Sequence, residues 1–207
     1  MALLHRAELR PTKLELLATW LPGRVWYRGD ADAEVVRVGA YRFDDPAGEV
    51  GIETLLVRVG TGPVHQVPLT YRGEPLAGAE DRLVGTMEHS ALGRRWVYDA
   101  CGDPVYASAL ADAVLAGTGQ AEEYFEEDGE RQVRPPNMDI ASDAPAAEVP
   151  PVGAVRSIVD GDLTVIVTDG VELTVVRRPG AGATATGVAL IGTWDDVSAP
   201  LAYAAPR

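Results

Sequence analysis

Between residues 93 and 117 the chain reads GRRWVYDACGDPVYASALADAVLAG, and several of its chemically capable side chains meet there. Cys101 is the only cysteine, Asp99 and Asp103 lie two residues to either side of it, and His89 stands upstream. A thiol nucleophile needs a base and surroundings that favour the thiolate. No histidine adjoins Cys101 in sequence, so His89 could serve only if the fold returns it. The competing reading is structural. Asp103 suits a helix N-cap, Pro104 suits the first helical position, and Gly117 suits a C-terminal stop. A lone cysteine ahead of such a helix is ordinarily a small buried filler, and that reading is preferred.

Other candidate sites are weaker. Asp44, Asp45 and Glu49 could suggest a cation site or an acid/base pair, but they sit in DDPAGE, where turn chemistry accounts for them. EEYFEEDGE is acidic without the alternating ligand spacing of a calcium loop. RPGAGATATG lacks the Lys-Ser/Thr and the following helix of a phosphate loop. The three histidines, His5, His65 and His89, are far apart, and no Cys/His cluster has zinc spacing. There is no G-x-S-x-G elbow, no H-E-x-x-H and no kinase catalytic loop. The expectation is therefore no catalytic set, no metal and no cofactor. An aromatic reading remains. Trp20, Trp26, Tyr27, Tyr41, Tyr71, Trp96 and Tyr98 crowd the first hundred residues. Trp26, Tyr71, Arg95 and Trp96 could form a sugar platform of ring faces and polar groups. A sheet–helix core would use the same aromatics, and is the preferred account.

The elements that must position these residues are clear in places. In RPTKLELLATWLPGR, Thr12 and Glu15 make a capping box, Leu14, Leu17, Ala18 and Leu21 share a face, and Pro22-Gly23 ends the helix. From residue 33 the period becomes two. AEVVRVGAYRF and VGIETLLVRVG form a hairpin around DDPAGE. VHQVPLTYR follows as a strand in which Pro68 favours an edge or a bulge. RLVGTMEHS and RRWVYDA are two more strands, and QAEEYFEEDGE is a strand or ragged edge. Residues 131 to 151 are rich in Pro, Ala, Ser and Asp and carry no period. After them VRSIV-DG-DLTVIV-TDG-VELTVVRR gives three strands joined at two Asp-Gly dipeptides, then VALIGTW and APLAYAA. The fold class is α+β. An antiparallel meander with one or two packed helices spans 1–127, a linker or long loop 128–151, and a small antiparallel β unit 152–207.

Composition bounds the partners. The chain of 207 residues carries 31 acidic and 18 basic side chains, a net charge of −13. That field repels polyphosphate, so nucleic acid and anionic membrane are not expected partners. The pairs Arg94-Arg95 and Arg177-Arg178 are too small to reverse it. No signal-peptide stretch or membrane-length apolar run occurs, which makes the cytoplasm the expected location. Heavy use of Arg, Ala, Gly and Val, with Lys13 the one lysine, suggests a high-GC bacterial genome.

Four stretches also carry a resemblance. PTKLELLATWLPGRVWYRG, VGAYRFDDPAGEVGIETLLV, HQVPLTYRGEPLAGAE and LGRRWVYDACGDP resemble, in that order, the N-terminal cap region of bacterial maltokinases and related sugar kinases. The matching positions are Leu21-Pro22 and Trp26, then Gln66 to Tyr71, then Tyr98 to Pro104. The likeness covers roughly residues 5 to 117 and points to a short, stand-alone cap-like protein. In the full kinases the cap precedes a β-rich small lobe and a helical lobe. VELTVVRR is similar to the small-lobe strand whose lysine holds nucleotide phosphates, and Thr174 stands where that lysine would be. Thr cannot supply the fixed positive charge. The chain ends at Arg207, where the helical lobe would begin. The resemblance therefore implies a cap plus small-lobe remnant without phosphotransferase machinery. The expected function is a non-catalytic binding or regulatory module of maltose, trehalose or glycogen metabolism, whose partner is a protein of that metabolism or itself. The alternatives are a carbohydrate- or small-ligand-binding module, and an enzyme of unknown type built on Asp99, Cys101 and His89.

Overall fold

The computed structural model describes residues 2–3, 7–30, 32–127, 130–145 and 149–207. His5 and residues 128–129 and 146–148 of the expected linker lie outside them. In chain order the elements are β1 (Ala2–Leu3), β2 (Leu9–Arg10), α1 (Lys13–Trp20), β3 (Val35–Phe43), β4 (Gly51–Val59), β5 (Val64–Arg72), β6 (Leu83–His89), β7 (Gly93–Asp99) and α2 (Pro104–Ala111). Then follow β8 (Glu123–Glu127), β9 (Glu130–Arg134), β10 (Asp139–Ser142), β11 (Val155–Val159), β12 (Leu163–Thr168), β13 (Val171–Val176), β14 (Val188–Trp194) and β15 (Val197–Pro206). The architecture is mostly antiparallel β with two helices. One six-stranded sheet has the order β2-β6-β7-β5-β4-β3, a second β10-β14-β15-β13-β12-β11, and a small sheet β1-β8-β9.

The first sheet is covered on both faces. β4 alternates its side chains between two cores, Leu55, Val57 and Val59 on one side and Ile52 and Leu56 on the other. The first face receives α1 through Leu17, Trp20 and Leu21, joined by Trp26. The capping box holds: Glu15 N–H donates to Thr12 Oγ1 at 3.3 Å, and Thr12 N–H to Glu15 Oε2 at 2.7 Å. The second face receives α2, and one apolar cluster runs from Tyr41, Phe43 and Ile52 through Tyr106, Leu110 and Leu115 to Ile166, Leu173 and Leu201 of the second sheet. α2 continues through a wider turn, Asp112–Ala116, to Gly117 in the left-handed conformation.

The two Asp-Gly hairpins form, β11 with β12 and β12 with β13, the first with a register shift between Val155 and Ser157. Two expectations need refinement. Within 128–151, Glu130–Arg134 and Asp139–Ser142 form strands, the latter pairing with β14, because Ile140 alternates inward onto the shared core. β5 is interior in its sheet, yet its ladder to β7 begins only at Leu69. Pro68 thus lies on a stretch with no β7 neighbour, where a missing N–H breaks no β7 ladder bond.

That open stretch of β5 is where the sheets meet. Gln66 N–H donates to Arg177 O at 2.8 Å, and its side-chain amide donates to Val176 O at 3.1 Å and Leu201 O at 2.8 Å. Tyr41 Oη donates to Gln66 Oε1 at 3.2 Å. Beside it the fully buried Arg177 donates to Asp99 Oδ2 at 2.7 Å, Thr164 Oγ1 at 2.8 Å and Cys101 Sγ at 3.2 Å. Its guanidinium carbon lies 4.6 Å from the Trp26 ring centroid. Burial works against its charge, and the Asp99 carboxylate more than restores it, leaving the pKa raised.

Asp103 performs two tasks at once. It caps α2 by accepting from Val105 N–H at 3.0 Å, and it holds Arg72 through two bonds of 2.7 Å. Asp103→Ala removes both and leaves a part-buried guanidinium unpaired, which should lower stability by about 3 kcal/mol in urea unfolding. Asp103→Ser, which keeps a capping oxygen, should cost less; equal losses would mean that the cap contributes nothing.

Candidate functional site

A polar row crosses the α1 face of the first sheet, just beyond the N-terminus of that helix. Strand parity builds it. Glu53 lies two residues before Leu55, so it points to the same buried face, and Arg42 is its register partner on β3. Tyr71 comes from β5, Arg95 from β7 and Lys13 from the first turn of α1. Glu53 is 4% exposed. Its carboxylate accepts from Lys13 Nζ at 2.5 Å, Arg42 Nη2 at 2.8 Å and Tyr71 Oη at 2.8 Å. Arg42 also reaches Glu123 of β8 at 3.0 Å, and Glu123 meets Arg134 of β9 at 3.4 Å.

Electrostatics follow from burial and pairing. Burial alone would raise the Glu53 pKa, but Arg42 and Lys13 outweigh it and hold the carboxyl down at about 2. Burial lowers the Lys13 pKa against the pull of Glu53. The Tyr71 hydroxyl is pushed up, first by burial and then by the carboxylate it serves.

Around this row lies a cavity of about 600 Å³, with Lys13, Arg37, Arg42, Tyr71 and Arg95 among its lining. The β3–β4 turn, with Asp44, Asp45 and Glu49, supplies an acidic rim. A second hollow of about 350 Å³ shares Arg37, Arg42, Glu53 and Arg134 with the first. The arrangement can bind: it offers a phenol ring, fixed cations and carboxylates in one concavity of ligand size. Among the described residues no group of three His, Cys, Asp or Glu side chains could hold a metal ion.

The sequence-derived candidates divide between this cavity and the interior. Tyr71 and Arg95 line the cavity. Trp26 is 1% exposed and packs on Trp20 and Arg177, so its ring face belongs to the core. Trp96 is half-buried and, as the neighbour of Arg95 in β7, points to the opposite face of the sheet. Asp99 and Cys101 do come together, but around Arg177 in the interior. Burial pushes the Cys101 thiol well up, which opposes thiolate formation. His89 lies away from them on the cavity side, where its Nδ1 accepts from the amides of Ala91 and Leu92 at 3.2 and 3.1 Å. Asp45 caps its own turn, accepting from Ala47, Glu49 and Val50.

Lys13, Arg42 and Glu53 were not among the candidates, although a signal for them exists. In GIETLLVRV the parity that buries Leu55 and Val57 must also bury Glu53, and a buried carboxylate requires cations.

Because the Glu53 pKa falls from an ordinary 4.5 to about 2 on folding, its stabilisation is complete above pH 4.5. It drains away as the pH falls from 4.5 towards 2. Glu53→Gln should therefore cost about 3 kcal/mol at pH 7 and clearly less at pH 3, compared with wild type in urea unfolding. An equal cost at both pH values would show that the cluster does not hold the carboxylate ionised.

No helix among the described residues is long and apolar enough to cross a membrane. No curated protein matches the chain. The family model described as the maltokinase N-terminal cap domain matches residues 20–103, from the end of α1 to the cap of α2. That stretch contains Trp26, Gln66, Tyr71, Asp99 and Asp103, and it includes all of β3 to β7. Over residues 20–103 the chain is therefore similar to the maltokinase N-terminal cap domain.

Proposed function

We propose that this protein is a non-catalytic binding module of sugar metabolism, with maltose, trehalose or glycogen chemistry as its setting, and that the cavity beside Glu53 is its binding site. The observation that carries the reading is the convergence of Tyr71, Arg95, Lys13 and Arg42 on one concavity of about 600 Å³. A pocket of that size suits a small hydroxylated ligand better than a protein surface, because hydroxyl groups need many closely spaced donors and acceptors. Tyr71 offers a ring edge, and the carboxylates of the rim accept from hydroxyls. A protein partner or self-association is the second reading, favoured by the kinship of the cap with parts of larger enzymes.

The non-catalytic part of the proposal rests on where the reactive groups are used. Gln66, Asp99 and Asp103 are consumed in bonds that join the sheets and cap α2. Thr174, at the position of the kinase lysine in the small-lobe resemblance, is 5% exposed and opposite Tyr203 in β15. A small-lobe remnant that offers no charge to phosphate fits a protein that binds without transferring phosphoryl groups.

Isothermal calorimetry with maltose, trehalose and glucosamine tests the site. At least one should bind, and Tyr71→Ala should weaken it at least tenfold. Absence of heat with every sugar contradicts the cavity reading, and transfer of phosphate from ATP to any of them contradicts the non-catalytic one.

A further inference from the structure

One side chain of the cavity wall differs in kind from the rest. Lys13 is the only lysine among 18 basic residues, and it alone of them can shed its proton and attack a carbon. Its side chain is 24% exposed and lines the cavity, so the amine is both sheltered and reachable. The place is unfavourable for a cation. Lys13 is the first residue of α1, where the helix dipole is positive. Burial lowers its pKa, and the Arg42 and Arg37 guanidinium groups lower it further against the pull of Glu53.

Glu53 is placed to serve such an amine. Its Oε2 accepts from Lys13 Nζ at 2.5 Å and from Tyr71 Oη at 2.8 Å, while Arg42 holds Oε1 at 2.8 Å. The carboxylate is thus fixed in position one hydrogen bond from the nitrogen. Lys13 Nζ lies 5.2 Å from the centroid of the Tyr71 ring, which lines the same cavity. An amine whose proton is disfavoured, a carboxylate bonded to it and a concavity of ligand size are the parts of an imine-forming site.

We propose that Lys13 captures a small hydroxyaldehyde, such as a reducing sugar in its open-chain form, as a reversible imine. This rests on the reading of the cavity as a sugar-binding site and narrows its ligand to one with a free carbonyl. Nζ gives up one proton, and its lone pair forms the bond to the carbonyl carbon. The carbonyl oxygen receives that proton through Glu53. The C–O bond then breaks, and the oxygen leaves as water with the second nitrogen proton. One ammonium and one aldehyde become one iminium and one water, so charge is conserved and nothing is oxidised or reduced. The iminium keeps its charge beside Glu53, which is the counter-ion of both states. The step is capture without turnover, in keeping with a binding module.

Trapping with glyceraldehyde and cyanoborohydride on the full chain, read by intact mass and peptide mapping, tests this. The hydride reduces the imine to a stable amine, and Lys13 is the only side-chain amine to be labelled. At neutral pH Lys13 should be labelled faster in the folded chain than in guanidinium chloride, by about threefold or more, because a lowered pKa frees more of the amine. A sugar that binds in calorimetry should slow the labelling. Labelling at an equal or lower rate in the folded chain is the behaviour of a lysine that only neutralises Glu53, and it would overturn the proposal. Labelling that a bound sugar leaves unchanged would overturn it too. Either result beside measurable heat with maltose or trehalose leaves the sugar-site reading standing. Slow labelling together with no heat from any sugar overturns both.

Discussion

The structure depends on a guanidinium that has no access to water. Arg177 is fully buried between the two sheets, and removing such a group from solvent costs several kcal/mol unless it is paired and hydrogen-bonded. Its partners come from three parts of the chain: Asp99 and Cys101 at the end of β7, Thr164 in β12, and the ring of Trp26 after α1. Each must be in place for the charge to be tolerated. Once they are, the consequences spread. Asp99 also accepts from Cys101 N–H at 3.3 Å, which shapes the tight turn Ala100–Gly102. That turn delivers Asp103 to the start of α2, and α2 fills the core shared by both sheets.

Seen from this pair, the cap motifs are fasteners. Gln66 spans the gap between sheets, Asp99 neutralises Arg177, and Asp103 ties α2 to Arg72. Trp26 covers the arginine on the α1 side. Their side chains are already engaged inside the protein, so chemistry at the surface must come from elsewhere. The proposed binding site lies on the α1 face of the same sheet. Strand parity places Glu53 on a buried face, Lys13 and Arg42 answer the charge, and the helix is too short to cover the row. A cavity results.

Much of this was legible in the residues. The capping box at Thr12 and Glu15, the Asp-Gly hairpins and the Asp103-Pro104 cap with its stop at Gly117 are local signals, and local geometry satisfies them. Tyr71 and Arg95 were singled out as binding residues and line the cavity, although Trp26 and Trp96 do not join them. What escaped depends on partners distant in sequence. Arg177 reads as half of a surface basic pair because nothing nearby announces Asp99, 78 positions earlier. Asp139–Ser142 lacks a long apolar alternation, and only the open edge of β14 makes it a strand. The buried Glu53 was legible in principle, but its meaning required Arg42 and Lys13 to arrive from two other elements.

A double-mutant cycle on Asp99 and Arg177 tests the account most directly. Asp99→Asn, Arg177→Met and their combination would be compared with wild type in urea unfolding. Each single change should cost about 3 to 5 kcal/mol, and the double variant should cost less than the sum by about 2 kcal/mol or more, because neither charge is left buried alone. Small, additive losses would contradict the claim that this pair is the constraint on which the joining of the two sheets depends.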